Sequence, residues 1–452
     1  MDETLIVHVE ESEAQEQEQT PLLKSEQTQN HQIAENGLDH DHDDTDLDKT
    51  LQNLKLFLTL LGFNQSSVLS FLVSWVFFLL GGVLLPMVML ELSNCPGCES
   101  GQIKSFELDI LVSQALLAAA SLLCLSHNLR KYGIRKFLFV DRYSGHIERF
   151  SHQYHKKISD SIRLLLLWLL PCFLLKTARE IIRILYVHHE SWWQSAVISL
   201  AFISSWTYIT TIFLSACVLF HLVCSLQIIH FDDYVKLLER EPDCFVLIQE
   251  HVRLRYYLSK ISHRFRIYLL LEFLIVIVSH FMTLFQTTGY TGLITYINGG
   301  DFAVSSIVQV VGVILCLNAA AKISHRAQGI GSIASRLHAL ATCTSGEASE
   351  MRHSTSMNYL EAINRSSPFY MNFSESDLES VDFVTEPTNT QLASYMSSYQ
   401  KRLALVMYLQ NNPGGITIFG WTVDRGLINT IFFIELTVVT FILGKTIVFT
   451  GH

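Results

Sequence analysis

Charge is scarce in this chain. Only 16% of its 452 residues are Asp, Glu, Lys or Arg, while 49% are hydrophobic and mean hydropathy is +0.29. No basic domain exists, because Lys and Arg sit beside apolar blocks, so nucleic acid is not an expected partner. There is no phosphate-binding Gly-rich loop and no Gly-x-Ser-x-Gly. The one His-x-x-His pair, His152 and His155, is isolated, whereas a metal-dependent membrane enzyme needs several such boxes. These absences argue against an enzyme, and no cofactor or metal is expected. No internal repeat is detectable, which counts against a secondary transporter. The first 30 residues have neither a basic start nor an apolar core, so a cleavable signal peptide is not expected. Cysteine is also thinly used. Of nine residues, only Cys95 and Cys98 form a close pair, readable as a local disulfide or as two free thiols. Cys124, Cys172, Cys217, Cys224 and Cys316 fall in or beside apolar blocks and read as small packed residues.

What the chain does have is apolar sequence in blocks of about 20 residues, the length that crosses a ~30 Å hydrocarbon core. A segment facing lipid must satisfy its own backbone, so such blocks mean helices. The expected fold is an all-α polytopic membrane protein with seven transmembrane helices. Spans are expected at 66–90, 106–126, 162–187, 195–229, 265–287, 302–321 and 426–449 within a membrane domain over 51–449. The net charge of −10 comes mainly from the start of the chain. Residues 1–50 run from Glu10-Glu11 to Asp43-Asp44 and read as a disordered acidic tail. Residues 51–63 suggest a short amphipathic helix on the membrane surface, with Leu51, Leu54, Phe57, Leu58 and Leu61 on its apolar side.

Basic residues set the expected orientation. The connection after span two carries Arg130, Lys131, Arg135, Lys136, Arg142, Arg149, Lys156 and Lys157. Those after spans four and six are basic too, whereas the connection after span one has only Lys104. The alternation places the N-terminus in the cytosol and the C-terminus outside. This is the inverse of a G-protein-coupled receptor.

Two cytosolic stretches repeat apolar residues every three or four positions. Leu247, His251, Leu254, Leu258, Ile261 and Phe265 run into span five, and Leu392, Tyr395, Met396, Tyr399, Leu403 and Val406 precede span seven. Residues 230–264 and 391–412 are therefore expected to pack as a helical anchor below the membrane, which suggests self-association. Residues 344–390 read as a flexible Ser-rich loop, and Asn411-Asn412-Pro413-Gly414-Gly415 as a helix breaker.

Ionisable residues inside spans mark candidate sites. Lys176, Arg179, Glu180 and Arg183 share one helix face in the outer half of span three. One reading is a local ion-pair ladder, with Glu107 or Asp109 completing it. The other is a vestibule whose surplus positive charge meets a polar or anionic small-molecule ligand. Tyr186, Trp206, Tyr208 and His280 lie at the same level and are further vestibule candidates. Glu272, His280, Thr283 and Thr287 form a stripe on span five. On span seven, Asn429, Thr437, Thr440 and Gly444 fall within about 80° of one another at 100° per residue. Such a stripe serves close helix packing or a pore wall, with Leu443 a candidate apolar closure. Glu18, Leu22 and Leu23 match an acidic dileucine motif that cytosolic adaptors read.

The segment Ile416-Thr417-Ile418-Phe419-Gly420-Trp421-Thr422-Val423-Asp424-Arg425-Gly426-Leu427, with Thr437 and Leu443 in the helix after it, resembles the C-terminal signature of insect gustatory and odorant receptors. From about residue 50 the chain resembles the plant gustatory-receptor-like branch of that superfamily. The resemblance implies a homo-tetrameric, ligand-gated cation channel whose last helix lines a central pore. It also implies an outer-half ligand pocket among the earlier spans and an anchor of cytosolic helices. The insect pattern is Thr-Tyr, four residues, then Leu-Gln-Phe; here Val438, Gly444 and Lys445 replace the Tyr, Gln and Phe. Another class of function is a non-conducting membrane scaffold or signalling adaptor. A multi-pass location in the lipid bilayer of the plasma membrane or a vacuolar or endosomal membrane is expected.

Overall fold

A computed structural model describes residues 47–92, 100–139, 146–186, 192–241, 243–289, 296–344, 397–423 and 425–450. The acidic tail before residue 47, the Cys95/Cys98 pair, the dileucine motif and the loop after residue 344 up to 396 lie outside them. Helix α1 covers 47–60. The next span is Val68–Leu92. It consists of α2 (Val68–Phe77), a π-helical stretch (Phe78–Leu84) and α3 (Leu85–Leu92). Five long helices follow: α4 (Ser100–Leu138), α5 (His146–Tyr186), α6 (Trp192–Arg240), α7 (Cys244–Gly289) and α8 (Tyr296–Thr344). Then come α9 (Ser398–Asn411), strands β1 (Thr417–Ile418) and β2 (Trp421–Thr422), and α10 (Arg425–Thr450).

Six of these helical stretches are long and apolar enough to cross a membrane. The protein is a helical, multi-pass membrane protein. Helix α6 is its central post: 83% of its most apolar window is buried within the protein, against 17% for Val68–Leu92 and 22% for α5. The outer helices turn the rest of their apolar surface outward, as with Leu72, Leu80, Leu166 and Leu167. At 1.5 Å per residue the 49-residue α6 is about 74 Å long, more than twice the hydrocarbon thickness, so it projects beyond the bilayer.

The projecting ends pack together. Leu247, Leu254, Leu258 and Ile261 of α7 are buried, as are Leu405, Val406 and Leu409 of α9. Polar ties cross the seam: the Arg255 guanidinium donates to Asn412 at 2.7 Å, and the Tyr234 hydroxyl donates to the Leu247 carbonyl at 2.9 Å. The Gln410 amide donates to Ser335 at 2.9 Å. Of the residues expected in the pre-span-seven stripe, Leu392, Tyr395 and Met396 lie outside the described residues. Tyr399 is exposed and Val406 is buried.

The helical expectation meets exceptions: α4 is kinked at Gly133 (φ 72°, ψ 158°), and a short hairpin precedes α10. After the breaker at Asn411–Gly415 the chain forms a two-residue-per-strand hairpin, with Thr417 opposite Thr422 and Ile418 opposite Trp421. Phe419 (φ 48°) and Gly420 (φ 89°) both have positive φ, the signature of a type I′ turn. Side chains on two helices hold the entry strand. Ser324 accepts from the Ile416 amide at 3.0 Å, and Ser262 from the Thr417 amide at 3.2 Å.

Helix α1 rests on the protein. Leu47, Leu51, Leu54, Leu58 and Leu61 are all buried in the main core. Its end is a Schellman motif: the Phe63 amide donates to the Leu58 carbonyl, and the Gly62 amide to Thr59. Gly62 (φ +87°) hands its carbonyl to Ser74 at 2.8 Å, and a Cβ there would stand 2.4 Å from Ser74 Oγ. Gly62→Ala should therefore destabilise the protein by about 1–3 kcal/mol, the scale of a strained backbone position. Gly81→Ala, where a Cβ meets nothing within 4 Å, should change stability by less than about 1 kcal/mol. Unfolding midpoints of both variants in detergent check this.

Candidate functional site

Six charged side chains from three helices meet at the end of the bundle opposite α9. Helix α5 supplies Lys176, Arg179, Glu180 and Arg183, α4 supplies Glu107 and α8 supplies Asp301. On α5 the spacing i, i+3, i+4, i+7 aligns the four along one face. Arg179 binds Glu107 at 2.9 Å and Glu180 at 2.5 Å. Lys176 binds Asp301 at 2.5 Å and Glu180 at 3.2 Å. Longer pairs link Arg179 to Asp301 and Arg183 to Glu107, both at 3.7 Å. Arg179 and Glu180 are 6% and 1% exposed, so water does little to screen them.

Helix α5 alone carries surplus positive charge across these four residues. Glu107 and Asp301 remove it, giving three cations and three anions. Asp301 was not anticipated, because it stands one residue before the expected start of span six. The ladder expected between spans three and two, with Glu107 or Asp109 completing it, is a junction among three helices: Glu107 takes part, and the Asp301 carboxylate of α8 is reached by both Lys176 and Arg179. Aromatic rings complete the shell. The Arg183 guanidinium lies 4.8 Å from the Phe202 ring centre, and Lys176 Nζ lies 5.9 Å from that of Trp206.

A cavity of about 40 Å³ adjoins this junction, lined by Glu107, Lys176, Arg179, Arg183, Asp301, Ser205 and Trp206 among others. That volume holds a few waters rather than a drug-sized molecule. Two buried polar atoms beside it have no hydrogen-bond partner among the described residues: Ser205 Oγ and Glu180 Oε2. Ser205 lines the cavity, where water would satisfy its hydroxyl; Glu180 is not among the lining residues. Sequence reasoning missed Ser205. Its signal was its place one residue before Trp206 on the same helix.

The other vestibule candidates separate. Trp206 lines the cavity, while Tyr208 is half-buried against the core. His280 is buried with its ring 6.3 Å from Phe302, the neighbour of Asp301, and is not among the lining residues. The side chain of Tyr186 lies outside the described residues, as does that of Thr287. Glu272 is buried and faces Cys217 rather than the cavity, with its Oε1 3.5 Å from the sulfur.

The α10 stripe has a different environment. Asn429, Thr437, Thr440 and Gly444 are all exposed on the protomer. Ile431 and Val438, half-buried, lie on the other side of the helix, where it runs along α7 and α8. Thr437 satisfies its hydroxyl on its own helix, donating to the Phe433 carbonyl. The Leu443 side chain lies outside the described residues.

A helical multi-pass membrane protein with a buried charge junction is the class these features define. Residues 49–434 match the family described as "Protein of unknown function (DUF3537)", and the chain belongs to that family. No curated protein matches the chain.

Removing one member of a buried charge set leaves its partners unpaired. Asp301→Asn should destabilise the protein by about 3–5 kcal/mol. Asp232→Asn, which breaks the half-exposed 2.7 Å pair with Arg326, should cost at most about 1 kcal/mol. Unfolding in mixed micelles measures both. Equal effects would contradict a desolvated junction.

Proposed function

We propose that the chain is one subunit of a ligand-gated ion channel of the chemoreceptor type, assembled from identical copies, with α10 lining a shared pore. The observation that carries this reading is the α10 stripe. Asn429, Thr437, Thr440 and Gly444 share the face turned away from the protomer with Phe433 and Leu436, which are also exposed. The polar members of that face are not needed against lipid, where Leu or Phe serve better. Facing the same row on other copies, it forms a narrow wetted path. The 26-residue α10 is about 39 Å long, enough to cross the bilayer as a seventh span.

The basic connections supply the orientation, with the N-terminus cytosolic and the C-terminus outside. The packed ends of α6, α7, α8 and α9 then lie in the cytosol and serve as the anchor between subunits. The charge junction and its cavity lie in the outer half, within reach of an external ligand. A cavity of this size fits a resting state that widens when a polar ligand competes for the ion pairs. The number four rests on the likeness to insect and plant gustatory-receptor-like proteins. The plasma membrane or a vacuolar or endosomal membrane is the proposed location, with cytosolic adaptors reading Glu18, Leu22 and Leu23 in the tail.

Purified protein in a planar bilayer should carry single-channel currents whose open probability changes with small polar ligands. Thr440→Trp should reduce unitary conductance by at least about tenfold, because an indole on every subunit fills a narrow path. Silent but folded oligomers across a broad ligand screen would favour a non-conducting scaffold. A monomer in mild detergent would contradict the shared pore.

A further inference from the structure

A second polar cluster lies deep in the core, away from the charge junction. Cys217 on α6, Glu272 on α7 and Cys316 on α8 are all at most 1% exposed. The two sulfurs and one carboxylate oxygen lie within 4.8 Å of one another. Tyr268, one turn before Glu272, brings its hydroxyl to 3.3 Å from Cys217 Sγ. Glycine permits this convergence: a Cβ on Gly312 would stand 2.3 Å from the Phe213 ring and 3.2 Å from Cys217 Sγ. Without a side chain at 312, α8 comes close enough to α6 to present Cys316, one turn on.

Glu272 is the anomaly that calls for a ligand. At the charge junction every acid has a basic partner within 4 Å. Among the described residues Glu272 has no basic partner; the donors around it are the Cys217 and Cys316 thiols and the Tyr268 hydroxyl, and its Oε2 has no hydrogen-bond partner. A buried acid so placed asks either for a proton or for a cation. Two thiols beside it select the kind of cation. Soft sulfur ligands with one oxygen suit zinc and exclude calcium or magnesium, which take oxygen alone. Tetrahedral zinc, with Zn–S about 2.3 Å and Zn–O about 2.0–2.2 Å, holds its sulfur and oxygen ligands roughly 3.5 Å apart. Cys217 Sγ and Glu272 Oε1 are 3.5 Å apart.

We infer that Cys217, Glu272 and Cys316 form an intramembrane binding site for a zinc-class divalent cation, clamping α6, α7 and α8 together. Binding converts two thiols to thiolates and releases two protons. The two sulfur charges balance the ion, and Glu272, keeping its proton, adds its carbonyl oxygen at the third position, so that the buried site stays neutral. The fourth falls to the Tyr268 hydroxyl or a water. A Cys217–Cys316 disulfide is the rival outcome; it needs an oxidant, and a proton alone then neutralises Glu272.

The test uses full-length protein in detergent, reduced, stripped with chelator and titrated with Zn²⁺ or Co²⁺. Wild type should hold one cobalt with thiolate-to-cobalt charge-transfer absorption. That band is specific to sulfur ligands, so ions held by His40 and His42 of the acidic tail do not contribute. Affinity should rise with pH, as proton release requires. Cys217→Ser and Cys316→Ser should abolish the band, Glu272→Leu should weaken binding by about tenfold or more, and Cys343→Ser should leave it intact. Should the cysteine variants fail to fold, X-ray absorption on zinc-loaded wild type must show two sulfur ligands. No charge-transfer band in reduced wild type, or a native Cys217–Cys316 disulfide in peptide maps, would overturn the site.

Discussion

Polar groups in the hydrocarbon layer have no bulk water to turn to, and the architecture follows from that constraint. Backbone groups meet it by staying helical over long runs, even through Pro171 of α5. Charged side chains meet it by meeting one another. Lys176, Arg179 and Arg183 are placed among Glu107, Glu180 and Asp301, so that three helices are held by charges that none of them balances alone. The same logic explains why α6 is the post of the bundle. Its buried positions include many small polar residues, such as Ser199, Ser205, Thr210 and Ser215, where neighbouring helices approach.

Among the described residues, two of the places that do not close the account within one chain stand out. At Glu272 no basic partner is present among the described residues, and the two thiols beside it supply ligands for a soft cation. On α10 a whole stripe is left outward. These exceptions differ in kind. The first is sealed in the core and points to a small ligand. The second is open to the surface and points to other copies of the protein and to water between them.

Much of the fold was legible in the sequence, because hydrophobic blocks act over 20 or more residues. The six long apolar helices fall on the expected blocks, and the span-three charges share a buried face as their spacing requires. What was hidden depends on contacts between distant segments. Asp301 reads as a loop residue until α8 is brought against α5. Leu51 to Leu61 read as a surface-lying stripe, and Leu47 as part of a disordered tail, until α1 is seen to start at residue 47 and pack on the bundle. Cys217 and Cys316 read as small apolar fillers because nothing local ties residues 99 positions apart, and only Gly312 hints at the close approach. The hairpin at Thr417–Thr422 has two residues per strand, too short for any alternation to register, although Gly420 marked its turn.

The central claim is that the α10 stripe faces the same stripe on neighbouring copies around a shared path. Oxidative cross-linking in native membranes tests it directly, using single cysteines added to a protein whose exposed Cys343 is replaced by Ser. Thr440→Cys should give disulfide-linked pairs of chains. Leu72→Cys, on the lipid-facing Val68–Leu92 span, should give none. Cross-links at Leu72 without any at Thr440 would contradict the account.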